Sequence, residues 1–285
     1  MSARVLVLGA TGFVGARVAA RLLADGAQVR SLTRRGQAAR GVEALTGDAT
    51  DVDAVARALV DCEAVCVCVP WEQEPRVVEA VVAAAARLGR RDLHVLYVSG
   101  ITVVTQNAGA AMVDAKLAAE QALVASGLPC TVLKPSWFMD ALGLFVRDGR
   151  ATMFGRQPVP FRLVALDDFA LVVSRCARER SSGQRTLVVE GPTPLRLDEA
   201  LVRYCAVAHP TLKPSVLPPW VGRVLAFFAR SAELRAFVDM MAYFSTVAHV
   251  AQDEQVSTAT TFEQWLVRDE VSAVSQRAVA GEVAT

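Results

Sequence analysis

The stretch Arg4-Val5-Leu6-Val7-Leu8-Gly9-Ala10-Thr11-Gly12-Phe13-Val14-Gly15 decides the fold. Its first five residues read as an apolar strand. From Gly12 onward, Val14, Val18 and Leu22 recur every four residues and make one apolar stripe, the mark of a helix packed on a core. The bend between them is glycine-rich. Gly9 permits the tight turn, Gly12 lets backbone come close to a diphosphate, and Gly15 lets helix and strand pack closely. The free N–H groups of the helix start and the positive end of its dipole then suit a dinucleotide. The bland alternative is an ordinary glycine-containing turn. Strand, spacing and helix together favour the dinucleotide site, with Thr11, Phe13 and Val14 on the same loop.

The same alternation continues outward. Strands are expected at Arg4–Leu8, Ala27–Leu32, Val42–Thr46, Ala64–Val69, His94–Ser99 and Cys130–Leu133. Helices are expected near Gly12–Asp25, Val52–Val60, Pro75–Leu88 and Ala110–Ser126. Gly26 and Gly127 follow two of these helices and suit left-handed caps. Alternating strands and helices imply right-handed crossovers and an α/β, Rossmann-type doubly wound parallel sheet. Beyond residue 140 the pattern loosens. Arg162–Leu166 and Thr186–Val189 read as further strands that return to the sheet, and Trp220 to about Val250 reads as two apolar helices. The expected organisation is a dinucleotide-binding domain over residues 1–150, with 162–190 returning to it. A smaller, mainly helical C-terminal substrate lobe spans 191–275, with 136–160 contributing.

Composition narrows the function. The chain has 285 residues, of which 53% are hydrophobic, enough for a large core. Thirty basic residues against 29 acidic ones give a net charge of +1. No field of one sign exists to recruit nucleic acid. No apolar run approaches the length of a membrane span, and the N-terminus does not read as a secretory signal. The six cysteines form no Cys-x-x-Cys set and read as reduced, buried thiols rather than metal ligands or disulfides. Cys66 and Cys68 alternate along one strand and so share a face. A cytoplasmic location is the expectation, with no metal.

The Gly-x-x-Gly-x-x-Gly spacing resembles the loop of the short-chain dehydrogenase/reductase superfamily, in its extended and atypical branches. NAD-selective sites carry Asp or Glu about 20 residues beyond such a loop. Here the region reads Ser31-Leu32-Thr33-Arg34-Arg35 and offers no carboxylate. Arg34 and Arg35 suit a 2′-phosphate, so NADP(H) is favoured. The alternative is two solvated arginines with NAD(H) accepted less selectively and Thr33 serving a ribose hydroxyl. By the resemblance, the Gly47-Asp48-Ala49 turn borders the adenine, Asp48 otherwise capping the next helix. Val69-Pro70-Trp71 then lines the ribose beside the nicotinamide, although Trp71 suits packing equally well.

Short-chain dehydrogenases work with Ser and Tyr-x-x-x-Lys, whose spacing puts tyrosine and lysine on one helix face. Lys116 stands in the expected helix, but the position one turn earlier is Met112. Tyr97, Tyr204 and Tyr243 are the chain's three tyrosines, and none fits the motif. Ser99 or Thr102 occupies the usual serine region. Lys116 is expected at the nicotinamide ribose; the plainer reading is an exposed lysine paired with Glu120.

The segment Ala115-Lys116-Leu117-Ala118-Ala119-Glu120, the turn Ser126-Gly127-Leu128 and the run Leu133-Lys134-Pro135-Ser136-Trp137-Phe138-Met139 carry a more specific likeness. Together with Val164–Ala170 and Glu190-Gly191-Pro192, they resemble the NmrA-like group of atypical short-chain dehydrogenases, relatives of NAD(P)H-dependent quinone and isoflavone reductases. The resemblance covers roughly residues 3–200, and Lys134 stands where that group usually has arginine. It implies that Pro135, Ser136, Trp137 and Phe138 flank the nicotinamide and the substrate.

Without the tyrosine, an acceptor that holds its own charge after reduction fits better than a simple ketone. The first reading is therefore an NAD(P)H-dependent reductase acting on an aromatic, quinone-like or conjugated small molecule. The second is a non-catalytic NAD(P) sensor of the NmrA type. Epimerisation of a nucleotide sugar needs the missing base and ranks third. Trp137, Phe138, Phe145, Phe154, Trp220, Phe227, Phe228, Phe237, Met240, Met241 and Phe244 supply soft apolar surface for a substrate cavity or for a small helical core. Peripheral membrane contact is a further reading of that surface.

Overall fold

The computed structural model describes residues 3–230, 232–247 and 249–268. The strands are β1 (Arg4–Leu8), β2 (Gln28–Thr33), β3 (Glu43–Thr46), β4 (Ala64–Val67), β5 (His94–Val98), β6 (Cys130–Pro135), β7 (Val146–Arg147), β8 (Arg150–Phe154), β9 (Phe161–Arg162), β10 (Gln184–Glu190), β11 (Pro194–Leu195), β12 (Ser215–Leu217) and β13 (Glu254–Ser257). The helices are α1 (Phe13–Ala24), α2 (Val52–Leu59), α3 (Glu74–Arg87), α4 (Ala111–Ser126), α5 (Leu166–Glu179), α6 (Leu197–Ala208), α7 (Pro219–Phe228), α8 (Ala232–Phe244) and α9 (Phe262–Leu266).

Eight strands form one sheet in the order β13-β10-β6-β5-β4-β1-β2-β3. All pairings from β10 through β3 are parallel. The order reverses beside β1, which pairs with both β2 and β4. A doubly wound sheet binds ligands outside the C-terminal strand ends at such a switch point. The strands flanking that point are fully apolar: Val5 to Leu8 and Ala64 to Val67 are buried. This is the pattern of a sheet covered on both faces.

Two compact units divide the chain. The first holds the described residues up to Pro135, Leu166–Val189 and Ala251–Val256. Its helices end where the sequence signals said they would: Gly26 and Gly127 take φ of 84° and 69°. Arg30 is buried on β2 and donates to the carbonyls of Ala58 and Val60 at the end of α2. A cation there meets the negative end of the helix dipole.

The second unit holds Ser136–Ala165, Glu190–Val250 and the described residues from Ser257 on. It carries a small sheet, β12-β8-β7, whose β7–β8 hairpin turns through Asp148-Gly149 with both φ values positive. That turn type matches the twist of paired strands. Residues 269–275 of the expected substrate lobe lie outside the described residues.

One expected strand is corrected. Arg162–Leu166 does not form a strand of the large sheet. Phe161–Arg162 instead pairs antiparallel with Pro194–Leu195, and Leu166 already opens α5. The apolar run Leu163-Val164-Ala165-Leu166 is buried, and a short buried run reads alike as strand or helix start.

Candidate functional site

The glycine loop lies at the switch point. Gly9 takes φ of 86°, and a Cβ there would stand 2.2 Å from the Cys68 carbonyl oxygen. A Cβ on Gly15 would stand 2.1 Å from the Gly9 carbonyl oxygen. Both positions are closed to any side chain by backbone, not by a flexible neighbour. Gly12 is less crowded, its Cβ position 3.3 Å from Gly9 O, and its N–H donates to that same carbonyl at 2.9 Å. Gly12 is also the N-cap of α1, and no side chain caps the helix or adds an acid to its first turn. Thr11, Gly12 and Phe13 are exposed, and Val14 is half-buried. The first turn of α1 thus presents amides to an anion, and the loop fits a diphosphate.

At the end of β2, Thr33 Oγ1 is buried and has no hydrogen-bond partner among the described residues. Arg34 and Arg35 follow it and are exposed. Asp48 Oδ1 accepts from both the N–H and the hydroxyl of Thr50 at 2.8 Å. These bonds, the backbone one first, hold its carboxyl below the usual range, with Arg34 adding attraction. The capping alternative for Asp48 is corrected: Asp51 caps α2 by accepting from Asp53 N–H. Ala49 is half-buried beside it. Beyond β4, Val69 is half-buried and Pro70 exposed.

Two largely buried ionic clusters stand on the side of β5 toward α3 and α4. In the first, Lys116 Nζ lies 2.6 Å from Glu74 Oε1 and donates to Val98 O at 3.2 Å. Tyr97 donates its hydroxyl to Glu74 Oε2 at 2.6 Å. Glu74 is only 3% exposed. Burial, followed by the Glu74 charge, pushes the Tyr97 phenol far above its ordinary value, so it stays protonated. In the second, Ser99 donates to Glu120 Oε1 at 2.5 Å, and Lys134 Nζ lies 3.1 Å from Glu120 Oε2. Lys134 also donates to Val103 O at 2.8 Å.

The expected residues therefore sort as follows. Lys116 and Ser99 lie on α4 and just beyond β5, and each is bonded to a carboxylate. The Lys116–Glu120 pairing is corrected: Lys116 is part-buried and pairs with Glu74, while Glu120 takes Ser99 and Lys134. Thr102 is buried, and its carbonyl accepts from Asn107 Nδ2. Met112 lies half-buried on α4, one turn before Lys116. Pro135 ends β6 in the first unit; Ser136, Trp137 and Phe138 open the second. Ser136 Oγ and Trp137 Nε1 are buried with no hydrogen-bond partner among the described residues. Trp137 packs edge-on to Phe244 at 4.8 Å and stacks near Phe145 at 6.1 Å.

Phe145, Phe154, Met241 and Phe244 are buried in that unit, so much of the expected aromatic surface is core. Trp220, Phe227 and Phe228 on α7 are exposed. Glu74, Tyr97 and the Glu120–Lys134 pair escaped the sequence reading. Glu74 carries one weak signal, an acid just before Pro75 at a helix start, which reads as ordinary dipole compensation. Among the described residues no helix is long and apolar enough to cross a membrane, and no group of acidic, His and Cys side chains is placed to hold a metal ion.

This geometry agrees with what the chain is similar to. Residues 9–179 match the model of a family described as NAD(P)H-binding. Over 204 residues the chain is 33% identical to a (4-alkanoyl-5-oxo-2,5-dihydrofuran-3-yl)methyl phosphate reductase of Streptomyces griseus, covering 68% of this chain and 70% of that protein. The fold matches a triphenylmethane reductase of Citrobacter sp. in complex with NADP(H), with a TM-score of 0.71 at 18% identity over 98% of this chain and 100% of the other. It also matches an NADPH-dependent quinone oxidoreductase of Escherichia coli in complex with NADPH, with a TM-score of 0.69 at 17% identity over 96% and 98% of the two chains. The chain belongs to the NAD(P)H-binding family, as its NmrA-like resemblance implied.

Proposed function

We propose that this protein is an NAD(P)H-dependent reductase, an atypical short-chain dehydrogenase that reduces a conjugated small molecule without a tyrosine proton donor. The observation that carries the reading is the α1 terminus, uncapped by any side chain and opened by two glycines whose Cβ positions are filled by backbone. In this reading the backbone of Gly9, Thr11, Gly12, Phe13, Val14 and Gly15 holds the diphosphate. Thr33, Arg34 and Arg35 take the adenosine ribose and its 2′-phosphate, which favours NADP(H) over NAD(H). Asp48 and Ala49 border the adenine. Val69, Pro70, Ser99, Lys116 and Pro135 serve the nicotinamide ribose, and the resemblance adds Ser136, Trp137 and Phe138. When bound, the reduced nicotinamide supplies hydride.

The acceptor follows from Met112. With no tyrosine one turn before Lys116, the negative charge left by hydride addition must rest on the substrate itself. The substrate in the Streptomyces relative's name meets that demand. Its ring double bond is conjugated to the ring carbonyl and to the alkanoyl carbonyl, so hydride addition yields a delocalised enolate. Lys116, Ser99 and Thr102 then orient the acceptor and its hydrogen bonds, and water completes protonation. A hydrophobic or aromatic small molecule is the expected substrate class. The exposed Trp220, Phe227 and Phe228 support peripheral contact with a lipid surface. The cytoplasm, where thiols stay reduced, is the expected compartment.

The absence of the motif tyrosine favours a second reading, a dinucleotide sensor without turnover. NADPH oxidation measured against enones, alkanoyl-butenolides, quinones and triphenylmethane dyes separates the two. Turnover on a conjugated acceptor supports the reductase. Tight NADPH binding with no turnover on any of them overturns it in favour of the sensor.

A further inference from the structure

Cys66 lies within β4 and Cys68 just past its end, and their Sγ atoms are 3.4 Å apart. Cys66 is buried, whereas Cys68 is part-exposed, and both thiols are free. Cys66 is pinned on both sides, paired with Val7 of β1 and Leu96 of β5. Cys68 has one more parallel bond, its N–H to Leu8 O at 2.9 Å, before the chain leaves the sheet. The residue that follows β1 is Gly9. The Cys68 carbonyl carbon and oxygen lie 2.7 and 2.2 Å from the point where a Gly9 Cβ would sit. The Cys68 peptide is thus the wall against which the glycine turn is built.

We infer that Cys66 and Cys68 form a thiol switch whose closure to a disulfide weakens dinucleotide binding at the Gly9 turn. The inference rests on the reading that this loop holds the cofactor.

The oxidant is a hydroperoxide. The thiol of Cys68, the less buried of the two residues, attacks the peroxide: the O–O bond breaks, an S–O bond forms, and an alcohol or water leaves. The Cys66 thiol then displaces the sulfenic oxygen as water, forming the S–S bond. Two thiols are oxidised by two electrons and one peroxide is reduced. The contact with Cys68 and burial push the Cys66 thiol up, so the second step quickens with rising pH.

Closure has a geometric consequence. Residues i and i+2 of a strand are about 6.4–6.8 Å apart at the Cα atoms. Disulfides prefer about 5.5–6 Å. The Sγ atoms must close from 3.4 Å to about 2.05 Å, which draws the two residues toward the favoured spacing, and Cys66 is held by two neighbouring strands. The movement falls on Cys68 and carries its peptide relative to Gly9. An NADPH consumer that loosens its cofactor under peroxide spares reduced cofactor.

The test uses the full-length reduced protein, hydrogen peroxide, intact-mass and peptide mapping, and NADPH titration by fluorescence. The expected result is a loss of two hydrogen masses mapped to Cys66–Cys68, with NADPH affinity lowered about tenfold and restored by dithiothreitol. Cys66→Ser and Cys68→Ser are expected to bind NADPH as the reduced protein does and to keep that affinity in peroxide. Oxidation that stops at a sulfinic acid, a bridge between other cysteines, or a mapped bridge that leaves NADPH affinity unchanged each overturns the inference. Failure of the reduced protein to bind NADPH is a separate outcome: it removes the cofactor reading itself and the coupling with it.

Discussion

The Lys116 ammonium sits 2.6 Å from the Glu74 carboxylate, although 42 positions separate the two in the chain. α3 and α4 pack on the same side of β5, and the pair closes between them over Tyr97. Glu74 thus supplies the counter-charge of Lys116 from the neighbouring helix, while Met112 stands one turn before Lys116 on α4.

Removing that carboxylate leaves a part-buried ammonium without its counter-charge and a fully buried phenol without its acceptor. Glu74→Ala is expected to destabilise the protein by about 3 kcal/mol or more, measured by urea unfolding. Glu74→Gln keeps an acceptor for Tyr97 but removes the counter-charge of Lys116. It is expected to raise the NADPH dissociation constant with a smaller loss of stability. Equal stability of Glu74→Ala and the parent protein would show that the cluster is not formed in solution.

Lys116→Ala separates binding from chemistry. A lysine that only holds the ribose predicts a higher cofactor dissociation constant with turnover preserved at saturating NADPH. A lysine that also acts on the acceptor predicts a fall in kcat at saturation. Proposed as both, Lys116 is expected to show both effects.

The glycines should rank by what a methyl group meets. Gly9→Ala and Gly15→Ala drive Cβ into backbone oxygens, and Gly9 adds a positive φ. Both are expected to lose measurable NADPH binding and to lower Tm. Gly12→Ala meets one oxygen at 3.3 Å and is expected to fold normally while binding NADPH about tenfold more weakly. Calorimetry and thermal melts check the order; a Gly12 variant worse folded than the Gly15 variant contradicts it.

Arg34→Ala with Arg35→Ala tests the 2′-phosphate. NADPH affinity is expected to fall by about tenfold or more while NADH affinity stays within about twofold. Equal losses for the two cofactors would remove the assignment and leave Thr33 as the ribose contact.

His94 gives the fold an acid limit. Burial, followed by the charges of Arg185 and Arg180, lowers its pKa from 6.5 to about 4. The unfolded chain therefore binds a proton that the folded chain refuses. This penalty is absent above pH 6.5, grows as pH falls, and is complete near pH 4. It amounts to roughly 3 kcal/mol. His94→Phe is expected to flatten the stability profile between those values, read by urea unfolding at each pH. An unchanged acid limb would assign it to other groups.

Much of this was legible in the chain. Strand and helix periodicity, the glycine bend and the glycine caps are local, so they survive without knowledge of the fold. The reading of Arg162–Leu166 failed because a short apolar run is buried equally well as a bridge and a helix start. The Asp148-Gly149 hairpin was missed although the dipeptide is a turn signal, because its flanking strands are too short to show alternation. Lys116 lies on its expected helix, but the plainer alternative of a pair with Glu120, one turn on, fails because Glu120 takes Ser99 and Lys134 instead.

By itself the sequence determined the parallel α/β architecture, the position of the glycine loop and the absence of the motif tyrosine. These follow from spacing along the chain, which fixes which residues share a strand face or a helix turn. Tertiary structure alone decided that Glu74 meets Lys116 and Tyr97, that Glu120 meets Ser99 and Lys134, and that the Cys68 peptide walls the Gly9 turn. The physical reason is long-range packing. A buried charge selects its partner from whatever helix the crossovers bring to the same sheet face, and no interval in the sequence records that choice.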